Sequence, residues 1–302
     1  MKYKNVLITG KSGTIGSNLD IGCGFGSKDY DMRSLEQTSA AIKNYNPDAI
    51  VHCACIVGGL EYHLKNKYSM FYDNNLINSN LIECARKGGV QRVLSFLSSC
   101  IYSDKCESPY NETQLFEHEP FHIHLAYGHS KRFLEIQSRF CYEEFGLKYN
   151  CIIPANVYGV NDEFNMEKGH VVGILIHKAY LAAMNGTDFF VWGDGNQKRQ
   201  FLFVKDVADI TSWALDSYLD KEPLVISNNE LVSVGDIAYL IAREFNIENR
   251  IIFQKDKPSG QIIRSLDGTK LSTLHDFKFT PIDVGIKTTV EWFKTNYRNL
   301  RK

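Results

Sequence analysis

The chain is short of several things at once. It carries eight cysteines in 302 residues, yet they are scattered and include no CxxC pair. The start, "MKYKNVLITG", reads as a strand beginning almost at once and holds no signal peptide with a cleavage site. Free thiols in a reducing compartment are therefore expected, and a cytoplasmic location with them. No apolar run approaches the length of a bilayer span, which excludes a transmembrane helix and gives no membrane partner. Charge of one sign is not in excess either. A net charge of -1 gives no reason to expect nucleic acid as a partner. Internal repeats and low-complexity segments are also missing. What remains is 44% hydrophobic and 23% charged, an ordinary globular composition. The length suits one large domain or two moderate ones.

Short β-branched runs at 5–9, 49–54, 92–98 and 149–155 read as buried strands. Between them, 35–46, 70–89 and 126–146 space their apolar residues as helices do. Gly88-Gly89 and Gly146 mark two of the helix ends. Continuous apolar strands separated by helices imply an α/β fold, a doubly wound parallel sheet covered on both faces. The second half is weaker. Residues 188–211 read as two strands around a Gly/Asn turn. Residues 233–245 and 288–300 read as helices, with Ser233 as N-cap of the first.

Directly after the first strand comes "TGKSGTIGSNL". Gly10, Gly13 and Gly16, with Ser12, Thr14 and Ile15 between them, open a helix. Glycines there allow a tight turn, close approach of backbone to a pyrophosphate, and close helix–strand packing. The exposed N–H groups then favour the anion. An acidic residue for the ribose hydroxyls is expected at the end of the second strand. Instead "DIGCGFGSKDYDMRS" offers Lys28 and no clear strand, so the first crossover is expected to be truncated. A lysine suits the extra phosphate of NADPH. Asp31 is placed to meet the adenine amino group and Met32 to pack beside the ring.

"AYGHSK" puts Tyr127 and Lys131 at i and i+4, on one helix face. An ammonium beside a phenol lowers a pKa of about 10 toward working pH. Such a tyrosine can pass a proton to a carbonyl oxygen while hydride arrives at the carbon. Upstream, "FLSSCIY" ends an apolar run with Ser98, Ser99 and Cys100. Cys100 reads either as small core packing or as an acid/base group at a strand end.

Gly10-x-x-Gly13-x-x-Gly16, Ser98 and Tyr127-x-x-x-Lys131 together resemble the extended short-chain dehydrogenase/reductases that act on nucleotide sugars. "IVGG" (56–59), "SSCIY" (98–102), "PANVYG" (154–159), "GHVV" (169–172), "VWGDG" (191–195) and "RQFLFVKD" (199–206) are similar to the GDP-L-fucose synthases among them. The resemblance implies a Rossmann domain at 1–155 plus about 197–225. A nucleotide-sugar-binding domain then takes about 156–196 and 226–302. It implies that Tyr127 donates the proton, that Lys131 holds the nicotinamide ribose, and that Ser98 bonds the sugar C4 oxygen. Cys100 and His170 become an epimerisation pair at the carbons flanking a 4-keto group. Pro154, Asn156, Val157 and His170 join the cofactor site. Ser99, Asn156, Lys178, Trp192, Arg199 and Asp267 join the substrate site. The cofactor implied is NADPH/NADP+, the substrate a GDP-linked 4-keto-6-deoxy sugar, and the assembly a homodimer.

"LEYHLKN" after "VGG", "HIHLA" before Tyr127 and Ser103 depart from the family pattern beside the sugar pocket. Two alternatives stay open: a pure C4 reductase of a GDP-6-deoxy-heptose served by a separate epimerase, and a redox-neutral epimerase or dehydratase. "HEPFH" (118–122), followed by His124, matches a zinc motif, but Pro120 disfavours the helix that zinc would need. No metal is expected. Cys53 and Cys55 are expected to pack in the sheet.

Overall fold

The computed structural model describes residues 2–257 and 260–300. Its first half runs β1 (Val6–Thr9), α1 (Thr14–Asn18), β2 (Cys23–Phe25), α2 (Leu35–Tyr45) and β3 (Ala49–His52). Then come α3 (Leu60–Lys65), α4 (Lys67–Lys87), β4 (Arg92–Phe96), α5 (Leu125–Phe145) and β5 (Lys148–Pro154). β1, β3 and β4 are buried at every position, which is why they read as unbroken apolar runs. Ser34 caps α2 by accepting from the Gln37 N–H, and Gly146 closes α5 in the left-handed conformation at φ +69.

The second half runs β6 (Asn156–Tyr158), α6 (Val171–Asn185), β7 (Phe189–Trp192), β8 (Lys198–Arg199), β9 (Phe201–Phe203) and α7 (Val204–Ser217). It continues with β10 (Leu224–Ile226), β11 (Val232–Ser233), α8 (Val234–Arg243) and β12 (Ile251–Gln254). β13 (Ile263–Arg264), α9 (Thr269–Leu274) and α10 (Ile282–Asn296) complete it. Ser233 and Asp236 form a reciprocal capping box on α8.

The main sheet has six strands in the order β10-β5-β4-β3-β1-β2, all parallel. The winding reverses between β1 and β3, and in such sheets ligands sit at the strand carboxyl ends at that reversal. α7 and β10 pack with this sheet: Val207, Ile210, Leu215 and Leu224 belong to its core, as do Leu266 and Leu271. Arg92, fully buried on β4, ties α7 down. It donates to the carbonyls of Ala214, Leu215 and Tyr218 around the helix end, to Val93 and Lys148, and to Asn150 Oδ1. A second core gathers α6, β7, α8 and α10 around Phe189, Ile237 and Phe293.

Residues 188–211 are not a hairpin. β7 pairs in parallel with β12, β8 pairs with β11 and β13, and β9 pairs with β6. From Val204 the chain is helical, because the apolar positions of α7 recur at helical spacing toward the first core. The second strand, not legible in the sequence, exists as three residues on β1, and the crossover before it is the five-residue α1. Among the described residues no helix is long and apolar enough to cross a membrane.

Candidate active site

The glycine turn fits a dinucleotide pyrophosphate. Gly10 sits at φ +68, and a Cβ on it would lie 2.8 Å from the Ala54 backbone. A Cβ on Gly16 would lie 2.2 Å from the Gly10 carbonyl, so the turn closes only without side chains. Gly13 caps α1 through its backbone alone, which leaves the first-turn N–H groups facing outward. Thr14 donates to Asp162 Oδ1 at 3.1 Å and joins this turn to the loop before α6. Ser12 is exposed and Ile15 packs against the first core.

β2 runs out into Gly26 rather than into a carboxylate, and Lys28, expected to meet the cofactor's extra phosphate, is exposed just beyond. Asp31 accepts from Arg33, with Nη2 and Oδ2 2.7 Å apart. Met32 is buried in the core at 5% exposure.

The reacting end is built by two elements seated flush. Ser98 caps a single turn holding Ser99, Cys100 and Ile101, accepting the Cys100 N–H at 3.2 Å. α5 lies directly on that turn at Gly128, where a Cβ would stand 2.7 Å from the Cys100 carbonyl. Tyr127 and Lys131 therefore face the same space as Ser98 and Cys100. Lys131 is buried, donates to the Phe96 carbonyl at 2.8 Å, and holds Nζ 5.7 Å from the centre of the Tyr127 ring.

The expected lowering of the Tyr127 phenol is not what this environment produces. Burial, then the neighbouring Cys55, push it well above its ordinary value, so the phenol holds its proton. Cys55 itself is a correction. β3 ends at His52, and Cys55 lies beyond it with Sγ 3.6 Å from Tyr127 Oη. It faces the site, not the sheet.

Cys100 behaves oppositely to the phenol. Burial alone would raise the thiol, yet the neighbouring His124 and Arg264 hold it well below its ordinary range. Arg264 Nη1 donates to Cys100 Sγ at 3.6 Å and Nη2 to Asn156 Oδ1 at 2.9 Å. His63 stacks edge-on against His124, ring centres 4.6 Å apart, and against Tyr127 at 5.4 Å. His170, which the family resemblance pairs with Cys100, is exposed at the N-cap of α6, and no contact joins it to that sulfur among the described residues.

Toward the second core, Asn156 also donates to the Gln200 carbonyl, while Pro154 is buried and Val157 half-buried. Arg199 is held by the carbonyls of Lys198 and Gln261, and burial beside Arg264 lowers its pKa to about 9. Lys178 Nζ lies 5.1 Å over the half-exposed Trp192 ring. Asp267 is occupied by Thr269, whose N–H and hydroxyl both donate to it.

Sequence reasoning missed His63, His124, Cys55, Asp162 and Arg264 as site residues. "LEYHLKN" and "HIHLA" read as segments bordering the pocket, but His63 is not singled out there and His124 enters only behind the rejected zinc motif. A basic residue three before Asp267 in "QIIRSLDG" was the available signal for Arg264. The "HEPFH" segment runs as loop, with His118 at φ +52.

Comparison with known proteins is consistent in kind. The family model for the NAD dependent epimerase/dehydratase family matches residues 27–228. The GDP-L-fucose synthase of Dictyostelium discoideum is 34% identical over 99% of this chain and 98% of its own length. A probable GDP-L-fucose synthase of Drosophila melanogaster is 31% identical over 99% and 100%. The solved structure of a GDP-L-fucose synthetase from Naegleria fowleri bound to NADP superposes with a TM-score of 0.91 at 32% identity. It covers 100% of this chain and 98% of that one.

Proposed function

This chain belongs to the NAD dependent epimerase/dehydratase family, among the GDP-L-fucose synthases, and we propose that it reduces the C4 keto group of a GDP-4-keto-6-deoxy sugar with NADPH. The observation that carries the reading is geometric: α5, seated on the Cys100 turn at Gly128, brings Tyr127 and Lys131 beside the turn that carries Ser98 and Cys100. NADPH, when bound, supplies the hydride. Gly10, Gly13 and Gly16 hold its pyrophosphate, Lys28 its 2′-phosphate, and Lys131 its nicotinamide ribose.

Tyr127 gives its proton to the C4 oxygen, and Ser98 bonds the same oxygen. Before reduction, Cys100 as thiolate takes a proton from the carbon beside the ketone, becoming a thiol and leaving an enolate. His170 serves as acid from its exposed position at the head of α6, and return of a proton to the opposite face inverts the carbon. Arg199 and Lys178 suit the diphosphate, Trp192 the nucleotide ring, and Asp267 the ribose hydroxyls. The first core carries the cofactor, and the second closes over the nucleotide sugar.

The enzyme works in the cytoplasm, where NADPH and its eight free thiols are kept reduced. It pairs as a homodimer through the outer faces of α4 and α5, where Tyr68, Tyr72, Phe133 and Phe140 lie exposed.

The test is NADPH consumption with GDP-4-keto-6-deoxymannose. Stoichiometric oxidation is expected, slowed about 10²- to 10⁴-fold by Tyr127→Phe. Consumption only with a heptose counterpart would move the substrate assignment to that sugar. No consumption with either would leave a redox-neutral enzyme.

A further inference from the structure

We infer that His52 is a positioning residue for the cofactor: its imidazole ties the glycine turn that holds the pyrophosphate to the stretch of α5 that carries Tyr127 and Lys131. The inference rests on the reading of that turn and of Lys131 as the two grips on NADPH.

The tie is a continuous run of hydrogen bonds through Thr9, His52, Asn78 and Ser130, all fully buried. Thr9 and His52 are register partners at the ends of β1 and β3, where the winding of the sheet reverses. The Thr9 hydroxyl and His52 Nδ1 lie 2.8 Å apart. His52 Nε2 lies 3.2 Å from Asn78 Oδ1 on α4, and Asn78 Nδ2 donates to the Ser130 carbonyl at 3.1 Å. Ser130 stands directly before Lys131, and its hydroxyl donates to the Tyr127 carbonyl at 2.8 Å. At the other end, the Ala54 N–H donates to the Thr9 hydroxyl at 3.4 Å. Ala54 is the backbone against which Gly10 closes, and Gly10 follows Thr9 directly.

Donor and acceptor inventories fix the direction of the tie. The Ser130 carbonyl can only accept, so the Asn78 amide turns its nitrogen toward α5 and its oxygen toward His52. An oxygen facing Nε2 requires the ring proton there. Nδ1 is then bare and accepts from the Thr9 hydroxyl, whose own lone pair takes the Ala54 N–H. Burial, then the nearby Lys131 charge, lower His52 to about 3, in agreement with a ring that carries one proton. Each link has one orientation, and water does not reach these side chains to replace it. The tie therefore sets the distance between the turn and Lys131. NADPH spans that distance, its pyrophosphate on one grip and its nicotinamide ribose on the other. Without the tie other spacings appear, and apparent affinity falls with the fraction of molecules at the right one.

Isothermal titration calorimetry of the full-length protein with NADPH and with adenosine 2′,5′-bisphosphate separates the tie from general loosening. The bisphosphate reaches only the adenosine end and bridges nothing. His52→Leu and Asn78→Leu are each expected to weaken NADPH about tenfold and to leave the bisphosphate within about twofold of wild type. The double variant is expected to match the weaker single, because both substitutions cut one tie. Unchanged NADPH affinity, an equal loss for both ligands, or losses that multiply in the double variant would overturn the inference. Long-range nitrogen–proton NMR of the labelled wild-type histidine rings reads the tautomer directly, whether or not the variants fold. A bare Nδ1 and a protonated Nε2 on His52 are expected at neutral pH, and a protonated Nδ1 overturns the inference on its own. No sugar is used, so a wrong substrate leaves these titrations unaffected, and loss of the tie leaves NADPH consumption standing. A wild-type protein that binds no NADPH would overturn the tie and the two grips together.

Discussion

Gly128→Ala should separate stability from catalysis. A Cβ there would stand 2.7 Å from both the Cys100 carbonyl and Pro120 Cβ. Ordinary contact begins near 3.4 Å, so α5 must retreat from the Cys100 turn by about 0.7 Å. The two effects on stability oppose each other. Alanine is better than glycine inside a helix by about 1 kcal/mol, and overpacking costs about 1–3 kcal/mol. The net loss is therefore about 0–2 kcal/mol, and the protein stays folded. The site fares worse, since Tyr127 and Lys131 ride on α5 while Ser98 and Cys100 ride on the turn. A misplacement near 1 Å costs about 10²-fold in rate, so kcat should fall roughly ten- to a hundredfold. NADPH oxidation under saturating substrate measures this beside a thermal melt. His129→Ala, on a half-exposed face of the same helix, is the control and should keep its rate. A wild-type kcat in Gly128→Ala would refute the claim that this seat sets the geometry.

Arg92→Met should cost about 3–5 kcal/mol, since it strips buried donors from carbonyls at the α7 end and on β4 and β5. For a chain of this size that lowers Tm by about 5–8 °C in calorimetry, and an unchanged Tm would contradict the tie. Acid sensitivity follows from His52 and His63, which burial lowers to about 3 and about 4. Their folded values lie below the unfolded value of about 6.5, so the unfolded chain binds more protons in that window. Their contribution is complete above about pH 6.5 and is lost as pH falls toward 4 and 3, by about 1.4 kcal/mol per pH unit for each histidine. Urea unfolding at about pH 6.5 and about pH 5 reads the slope, and a flat profile would contradict the burial of neutral imidazoles.

The parallel sheet and the glycine turn could be read from the sequence because their signals are local. Buried strands show as unbroken apolar runs, and a phosphate turn needs glycines within seven residues of one another. Helical spacing puts Tyr127 and Lys131 on one face of α5, and their order after the glycine turn and the Ser98 strand end is what singles the pair out. The second half resisted because its strands are two to four residues long and find partners far away, as β8 does with β11 and β13. The Cys100 environment resisted for a related reason. His63, His124 and Arg264 come from three separate segments, and only the packing of α3, α5 and β13 brings them to one sulfur. Cys55 was misread because β3 stops two residues earlier than its apolar pattern suggests. The raised phenol of Tyr127 depends on burial depth, which i, i+4 spacing does not report.

The central claim is that one pocket both exchanges protons beside the ketone and reduces it. Incubation with NADPH and GDP-4-keto-6-deoxymannose in deuterated water, followed by NMR of the product, tests it most directly. The account predicts deuterium at C3 and C5 with stoichiometric NADPH consumption, and loss of the deuterium, not of the consumption, in Cys100→Ser. NADPH consumed with neither carbon labelled would contradict it and leave a reductase alone.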